Sequence, residues 1–386
     1  MDSRAVALVR ANFRAVVESP TGPQWLTNRF YGHMFGEDPN IRQLFPATME
    51  MQRERFMDAM AYVMDCLDNP GPAVKFLEQL GRDHRKYGVE AGHYPVAGRA
   101  LLSALRAYTG PAFWTDNIDV AWRQVIDMIT TSLAAGAESD EFPAHWPATV
   151  VGHRRVLDDL AVIRLQSDTP VPYAAGQYVP IGIPQRPKMW RYLSPAIPSN
   201  QYGEIEFHVR KVRGGWVSPS IVNETQVGDR WMVGAPLGGL RVDHESGRDV
   251  LMISGGTGIA PLRAQLMEMG QRGVNPRVHL FLAGHSPCDL YDVHNMWQLS
   301  LSNPWLTVIP VCESETDPWW NSQPAPEPPP GMHHRLIGPI GEVVAGLGAW
   351  SDRQVQIAGA PAMINATRRA LIAGGTPADQ IQTDPV

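Results

Sequence analysis

Hydrophobic positions change their spacing twice along this chain of 386 residues. Up to about residue 136, apolar residues recur every three or four positions, as on one face of a helix, and no alternating run typical of a strand occurs. The first stripe lies between Asp2-Ser3, which suits a helix cap, and Pro20, which ends a helix. Its members are Val6, Val9, Phe13, Val16 and Val17. The spacing predicts an all-α region.

Further along, the pattern changes to short alternating runs separated by glycine and proline. Residues 155–157, 160–165 and 204–209 predict strands of a small antiparallel β-barrel. From about residue 247, strand and helix signals alternate, which is typical of a parallel sheet covered by helices. Strands are predicted at 250–254, 277–283, 305–311 and 355–358, and helices at 262–270 and 363–373. The chain is therefore predicted to be a multidomain protein: all-α, then antiparallel barrel, then α/β.

Two segments look like connections. Residues 139–148 are acidic and carry Pro143 and Pro147, which predicts a linker. Residues 324–330 form a proline-rich loop inside the third region. The predicted boundaries are 1–138, a linker at 139–148, 149–246 and 247–386.

Composition excludes several function classes. Lys and Arg number 33 against 39 Asp and Glu, a net charge of −6 with a pI near 6.1, so no nucleic-acid partner and no anionic membrane surface is expected. We find no apolar run long enough to span a bilayer and no secretion signal at the start. Cys66, Cys288 and Cys312 are too far apart for a metal cluster or a plant-type ferredoxin module. A cytoplasmic setting is expected.

The most specific local signal is a glycine-rich turn after the predicted strand at 250–254. Glycines allow backbone N–H groups to approach a ligand, and the helix start that follows favours an anion such as a pyrophosphate. A tight strand-to-helix turn without a ligand is the other interpretation. The residues concerned are Gly255, Gly256, Thr257, Gly258, Ile259, Ala260 and Pro261.

A histidine shares a helical face with aliphatic residues in the first region. Val74, Leu77, Leu80 and His84 recur at intervals of three and four. A lone histidine in such a stripe is more often a core residue, but nearby aromatic residues favour an apolar pocket for a flat cofactor, in which a neutral imidazole is a common ligand of haem iron. These aromatic residues are Phe30, Tyr31, Phe45 and Phe56.

An ordered set of motifs in this region resembles the globin domain of flavohaemoglobins, which are globins fused to a ferredoxin-reductase-like FAD/NAD module. The motifs are Tyr31 within 29–35, residues 39–45, Gln52-Arg53-Glu54, His84, and residues 93–98. The resemblance covers nearly the whole chain. It implies a globin at 1–138, an FAD-binding β-barrel at 149–246 and an NAD(P)-binding α/β domain at 247–386.

The resemblance implies roles around a haem b. His84 would be the proximal iron ligand, and Phe45 would pack against the haem. Tyr31 would hydrogen-bond O₂ on the haem, with Gln52 beside it and Phe56 narrowing the pocket. A buried phenol needs a polar partner, and bound dioxygen with negative charge supplies one.

One departure concerns the proximal side. In the family, a tyrosine and a glutamate reinforce the histidine through hydrogen bonds. Tyr94 is at the tyrosine position, but counting from Trp122 places Ala137 at the glutamate position, with Glu138 next to it. Either Glu138 supplies the carboxylate or the relay is missing. We favour the second, which predicts weaker O₂ activation.

Three motifs in the second region resemble FAD contacts. They are Gly176-Gln177-Tyr178, an Arg-x-Tyr-Ser-like Arg191–Ser194, and Gly214–Ser218. Arg191 would pair with the pyrophosphate and Ser194 would reach the isoalloxazine. The signature tyrosine is Leu193 here, although Tyr192 precedes it. The implied contacts are Tyr178, Arg191, Tyr192, Leu193, Ser194, Gly214, Gly215, Val217 and Ser218.

The third region resembles a nicotinamide site with substitutions. Residues 255–261 match the family's phosphate loop. Residues 358–363 resemble its Cys-Gly-Pro-x-x-Met element and keep Gly359 and Met363, but Ala358 and Ala360 replace the cysteine and the proline. Residues 380–386 lack the aromatic residue that stacks on the flavin in the family. Binding is therefore expected, with altered hydride transfer.

The resemblance implies an oxidoreductase in which NAD(P)H reduces FAD, FAD passes electrons to haem, and nitric oxide is converted to nitrate with O₂. The departures resemble a divergent mycobacterial subclass, type II, for which D-lactate rather than NADH would reduce FAD. A third hypothesis is a gas-binding or redox-sensing globin with a degenerate reductase half. The expected cofactors are haem b, FAD and NAD(P)H, and the expected small-molecule partners are O₂ and nitric oxide, with D-lactate in the alternative.

Overall fold

The structure is a computed structural model that describes residues 2–139, 142–319, 321 and 329–384. It divides into two compact units, Met1–His145 with Pro187–Met189, and Trp146–Arg186 with Trp190–Val386. Some predicted features lie outside the described residues, namely Asp140 and Glu141 of the linker, Pro324 to Pro328 of the proline-rich loop, and Pro385 and Val386 at the end. The domain boundaries given above stay a prediction.

Residues 2–139, which make up nearly all of the described first unit, are all-α, which confirms the prediction from helical spacing. The α-helices are α1 (Ser3–Glu18), α2 (Gly22–Glu37), α3 (Glu50–Asp65), α4 (Gly71–His84), α5 (His93–Thr109) and α6 (Asp116–Glu138). Short 3₁₀ turns cover Pro39–Leu44 and Arg85–Tyr87.

Helix α1 follows the predicted capping and patterning. The Asp2 carboxylate accepts a hydrogen bond from the Ala5 N–H at 2.7 Å, which satisfies a donor of the first turn. The predicted apolar stripe is buried except for Val17, which is 49% exposed because it lies one position beyond the face that Val16 completes.

Helices α4 and α6 approach so closely that glycine is required at both contact points. A Cβ on Gly81 would lie 2.0 Å from the Leu133 carbonyl oxygen, and a Cβ on Gly136 would lie 2.0 Å from that of Glu78. Neither backbone oxygen can move without displacing its helix. The contact fixes the helix that carries His84 against α6.

The second unit begins with a curled six-stranded antiparallel sheet, as predicted. Its strands are β1 (Trp146–Leu157), β2 (Leu160–Ser167), β3 (Val179–Ile183), β4 (Arg186–Leu193), β5 (Glu204–Arg210) and β6 (Arg230–Val233), in the order β4-β3-β6-β1-β2-β5. A bridge between Pro195 and Phe207 brings the chain after β4 next to β5, the opposite edge of the sheet. Helix α7 (Val217–Asn223) follows β5.

The rest of the second unit is a parallel sheet with helices, which confirms the predicted α/β part. The strands are β7 (Asp249–Gly255), β8 (Val278–Gly284), β9 (Leu306–Cys312), β10 (Leu336–Ile337), β11 (Arg353–Ala358) and β12 (Ile381–Gln382), in the order β10-β9-β8-β7-β11-β12. The helices are α8 (Ile259–Met269), α9 (Val293–Leu301), α10 (Ile340–Gly346) and α11 (Pro361–Ala373). Strands β7 and β11 are neighbours, so their carboxyl ends adjoin at one edge of the sheet, where open α/β sheets bind ligands. Among the described helices, none combines the length and apolar character needed to cross a bilayer.

Candidate functional site

An aromatic pocket lies in the first unit, between α2, α3 and the turn that precedes α3. The Tyr31 ring meets Phe45 edge-on at 5.5 Å and Phe56 at 6.2 Å between ring centroids. Phe56 stacks on Phe30 at 4.6 Å, and Phe35 meets Phe45 at 5.4 Å. The structure therefore brings the four predicted aromatic residues together and adds Phe35, which the sequence interpretation did not single out.

Tyr31 and Gln52 come together in this pocket. Burial raises the pKa of the Tyr31 phenol to about 12, against the opposing effects of a hydrogen bond from the Gln52 side chain and the charge of Arg53. Tyr31 stays protonated at neutral pH and its O–H remains available as a donor.

His84 is the last residue of α4, and its Nδ1 is buried without a hydrogen-bond partner in the described part of the chain. Burial, helped by the charge of Lys86, lowers the pKa of His84 to about 4, so the imidazole is neutral at pH 7. The Tyr94 ring lies nearly parallel to it, with centroids 6.2 Å apart. A neutral, buried imidazole fits an axial ligand of haem iron.

The proximal relay expected from the family is not assembled around Tyr94. Burial raises the pKa of the Tyr94 phenol to about 12, and its O–H donates to the Gly81 carbonyl oxygen at 3.5 Å, a long hydrogen bond. Ala137 packs against the helical core, whereas Glu138 is exposed at the end of α6. Among the described residues, therefore, no carboxylate hydrogen-bonds the Tyr94 hydroxyl to support His84 through it.

In the antiparallel sheet, the predicted flavin residues lie around β3 and β4. Tyr178 forms a bridge with Leu237, and its ring meets Tyr192 edge-on at 5.3 Å. Arg191 donates to the Trp190 carbonyl oxygen at 2.8 Å. Tyr192 is 55% exposed, while Leu193 and Ser194 are half-buried at the end of β4.

The predicted phosphate contact is a tight turn before α7. Gly214 has a φ of 75°, a backbone conformation that glycine adopts without strain. The Ser218 hydroxyl accepts from the Val212 N–H at 3.0 Å, and the Gly215 N–H donates to the Val212 carbonyl at 2.9 Å. Val217 is fully buried. These bonds fix the turn, and its backbone suits a phosphate of FAD.

The glycine loop lies at the carboxyl end of β7, as predicted. Gly255 closes the strand, Gly256 to Gly258 form a 3₁₀ turn that includes Thr257, and α8 begins at Ile259, three residues earlier than predicted. Gly258 packs against β11: a Cβ there would lie 2.2 Å from the Ala358 carbonyl oxygen. Ile259, Ala260 and Pro261 are buried in the first turn of α8. The loop and the α8 start fit a dinucleotide pyrophosphate.

Met363 lies across this loop. A Cβ on Gly255 would come within 2.6 Å of the Met363 methyl carbon, and a Cβ on Gly359 within 2.3 Å. The Thr367 hydroxyl donates to the Met363 sulfur at 3.4 Å. The lack of a side chain at the two glycines therefore makes room for Met363 and also leaves the backbone accessible to a ligand.

Two groups of residues in the second unit were not identified from the sequence. One is Arg263 with the buried Glu206, which join α8 to the antiparallel sheet. The other lines an open pocket of about 390 Å³ between α11, β12 and Gly239, and includes Asn365, Arg368 and Asp384. Arg263 lies two residues after the glycine motif, which could have drawn attention to it. Nothing in the sequence indicates that Arg368 and Asp384 line the same pocket.

Comparisons with known proteins agree with this geometry. Three family models match in order: Globin at residues 28–133, Oxidoreductase FAD-binding domain at 147–242, and Oxidoreductase NAD-binding domain at 252–369. The flavohemoprotein of Bacillus subtilis is 25% identical over 282 residues, covering 69% of each chain.

Solved structures extend the comparison. A flavohemoglobin from Malassezia yamatoensis, with bound FAD and heme, matches over 99% of this chain and 98% of its own with a TM-score of 0.74; at 16% identity it shows the fold alone. The ferredoxin reductase in carbazole 1,9a-dioxygenase is 28% identical, with a TM-score of 0.53, and covers 64% of this chain and 70% of its own.

Proposed function

The chain is a flavohaemoglobin, a globin joined to FAD- and NAD-binding reductase domains, and we propose that it oxidises NAD(P)H to convert nitric oxide and O₂ to nitrate. The observation that carries this proposal is the Tyr31–Gln52 pair in the aromatic pocket. A protonated phenol in an apolar pocket is suited to hold a small oxygen-containing ligand on which negative charge develops.

The residues of the globin domain have distinct tasks in this proposal. His84, neutral at pH 7, would hold the haem iron through Nε2. Tyr31, beside Gln52, would donate its O–H to the ligand. Phe45 and Phe56 exclude water from the space around the phenol, which strengthens that hydrogen bond.

The reductase domains would supply electrons. When bound, FAD splits the two electrons of NAD(P)H into single-electron steps, and haem supplies the iron at which two nitric oxide and two O₂ become two nitrates per NAD(P)H. Arg191, Ser194 and the Gly214–Ser218 turn would hold FAD. The glycine loop and the start of α8 would hold the pyrophosphate of NAD(P)H.

NADH-driven nitric oxide consumption by the full-length protein, loaded with haem and FAD, tests the proposal. We expect consumption above that of a flavin-free preparation, and a lower rate in Tyr31→Phe. Equal rates with and without FAD would contradict the proposed electron path. Stoichiometric haem without bound FAD would instead favour a gas-binding or redox-sensing globin.

A second candidate is the type II activity, in which D-lactate reduces FAD. The pocket beside Gly239 favours it, because it combines an exposed cation, Arg368, with a half-buried carboxyl, Asp384. Burial raises the pKa of Asp384, against hydrogen bonds from the Gly239 and Leu240 N–H groups. Asp384 Oδ1 and the Tyr178 ring both lie 2.8 Å from the position that a Cβ on Gly238 would take, so the pocket adjoins a predicted flavin contact.

The chemistry of a 2-hydroxy acid matches this pair. Arg368 would bind the substrate carboxylate, and Asp384 would accept the hydroxyl proton. C2 of D-lactate would lose a hydride, whose two electrons FAD takes up, and pyruvate would be released. An anaerobic titration that follows the flavin and haem bands separates the candidates: bleaching by D-lactate but not by NADH selects this one, and bleaching by NADH alone rejects it.

A further inference from the structure

Helix α8, which begins at the glycine loop, is bonded to the antiparallel sheet through Arg263. Its Nη1 donates to the Ala196 carbonyl oxygen and to Glu206 Oε1, each at 2.8 Å. Its Nε lies 3.5 Å from Asp292 Oδ2, at the start of α9. Ala196 is two residues after Ser194. One guanidinium on α8, whose side chain is only 14% exposed, thus contacts both the chain just after the flavin motif and the residue at the start of α9.

Glu206 is the centre of this cluster and is 4% exposed. Besides Arg263, it bonds Arg164 Nε at 2.8 Å and His208 Nε2 at 3.2 Å, and His208 Nδ1 contacts the Tyr291 hydroxyl at 2.8 Å. Burial alone would raise the pKa of Glu206, but the His208 hydrogen bond and the two arginines lower it to about 2. The carboxylate is therefore charged and fully engaged at neutral pH.

A second contact of α8 lies near Gly176, in the predicted flavin motif Gly176-Gln177-Tyr178. A Cβ on Gly176 would lie 2.8 Å from Gln265 Nε2 and 2.1 Å from the Leu240 carbonyl oxygen. Gln265 is itself fixed by reciprocal amide hydrogen bonds with Gln356 of β11, at 2.9 and 3.1 Å. Helix α8 is therefore held against the chain at both Gly176 and Ala196.

We propose that Arg263 is a positioning residue that sets the nicotinamide loop relative to the flavin-binding motif through Glu206. The consequence for activity rests on the proposed electron transfer from NAD(P)H to FAD. In that step C4 of the nicotinamide gives up a hydride, which oxidises NADH to NAD⁺, and FAD gains the two electrons. Arg263 touches neither reacting group, so it governs the rate of this step more than the affinity for NADH.

The physical reason is the stiffness of an ion pair at the buried Glu206 carboxylate, in which Arg263 Nη1 also bonds the Ala196 carbonyl oxygen. Loss of Arg263 leaves the Glu206 charge buried with one fewer partner and frees the Ala196 carbonyl, so the sheet and α8 must shift to resolvate them. A displacement of about 1 Å between reacting groups lowers a rate by roughly 100-fold. Arg210, which pairs with Asp289 at 2.6 Å, also joins the two parts and keeps a variant assembled.

Three substitutions in the full-length, haem- and FAD-loaded protein test this. Arg263→Met removes the bonds to Glu206 and to the Ala196 carbonyl oxygen, and Arg263→Lys keeps a charge that reaches fewer partners. Arg263→Met combined with Glu206→Gln removes both charges. We expect this double variant to regain stability, because replacing both partners of a buried ion pair leaves no unpaired charge. Arg230→Met is the matched control, because Arg230 forms an exposed ion pair with Asp168 at 2.6 Å in the same unit.

Single-turnover reduction of the flavin is measured anaerobically over a range of NADH concentrations. We expect the limiting rate to fall by ~30-fold in Arg263→Met, partly to recover in Arg263→Lys, and to stay low in the double variant although its thermal stability recovers. The apparent Kd for NADH changes by less than about threefold. A limiting rate that recovers together with stability, or a loss confined to Kd, overturns the proposal.

Hydrogen–deuterium exchange makes the test independent of the electron donor. The Ala196 N–H donates to the Glu206 carbonyl oxygen at 2.7 Å, so peptides covering 194–207 report the contact directly. Faster exchange there in Arg263→Met, but not in Arg230→Met, is expected. Unchanged exchange overturns the positioning role. If NADH fails to reduce the wild-type flavin, the proposed donor is wrong, while this exchange result still decides the role of Arg263.

Discussion

The side-chain amide of Gln52 hydrogen-bonds the phenol of Tyr31, which is 5% exposed. The bond joins α2 to the first turn of α3 and orients the phenol within the aromatic pocket. Because burial raises the pKa of this phenol to about 12, its O–H keeps its proton at neutral pH. In the proposed function, this O–H would donate to a small ligand on the haem.

Replacement of Tyr31 by phenylalanine should therefore weaken O₂ binding by the haem-loaded protein. A hydrogen bond to a partly charged oxygen contributes about 1.5–3 kcal/mol, which corresponds to a roughly 10- to 100-fold faster O₂ dissociation. Gln52→Leu should give a smaller increase, because the phenol remains but loses its orientation. Flash photolysis or ligand replacement measures the rate. Tyr62→Phe, at an exposed position of α3, is the control and should change nothing; an unchanged rate in Tyr31→Phe would remove the ligand contact from the mechanism.

Tyr94→Phe should have little effect on the bond between iron and histidine. The Tyr94 hydroxyl donates to the Gly81 carbonyl oxygen, and Glu138 is exposed, so in the described part of the chain no carboxylate bonds the phenol and polarises His84 through it. The iron–histidine stretching band in resonance Raman spectra of the ferrous protein reports this directly. A large shift of that band in Tyr94→Phe would mean that the relay operates.

Much of this architecture could be predicted from local sequence. The helical stripes, the strand alternation and the glycine loop each determine structure over a few neighbouring residues, and the structure reproduces them. Helix starts were less predictable: α8 begins at Ile259 because Pro261 is accommodated in the first turn, where its missing N–H is not needed.

Contacts between distant segments could not be predicted in the same way. Glu206 and Arg263 are 57 positions apart, and Gly238 and Asp384 are 146 apart. Glutamate and arginine are residue types usually found at the surface, and only the fold brings Glu206 and Arg263 together as a buried ion pair. Val17 shows a different limit of prediction from sequence. Its spacing assigns it to the apolar stripe, but it lies one position beyond the buried face of the helix and is exposed.

If D-lactate reduces the flavin, Arg368→Met should raise the KM for D-lactate by more than about tenfold, because a bidentate contact to the substrate carboxylate is lost. Reduction by NADH should be unaffected. Arg369→Met is a close control, since Arg369 is next on α11 and bonds the Asn365 carbonyl oxygen at 3.3 Å without lining the pocket. Steady-state assays with both donors measure this, and equal effects of the two variants would argue against the pocket.

The second unit should lose stability in acid through Glu206. Its carboxyl has a pKa of about 2 in the folded protein and an ordinary value near 4.5 when unfolded. Between these values the unfolded chain binds a proton that the native protein does not, so the free energy of unfolding falls as pH decreases from about 5 to about 2. Glu206→Gln should flatten this dependence, whereas Glu224→Gln, at an exposed pair with Arg186, should not. Urea unfolding at several pH values measures it, and parallel pH profiles for Glu206→Gln and the wild type would contradict the assignment.

Gly258→Ala should damage the nicotinamide site while leaving the haem and flavin spectra intact. The added methyl would lie 2.2 Å from the carbonyl oxygen of Ala358, so the glycine loop must move away from β11. Backbone N–H groups that face a pyrophosphate then lose their alignment, and we expect NADH affinity to fall by ~10-fold or more. Gly273→Ala is the matched control, because a Cβ there meets no atom within 4 Å. Fluorescence titration with NADH measures the affinity. Equal affinities in the two variants would mean that the loop serves only to pack α8 against β11, the interpretation without a ligand that its sequence also allowed.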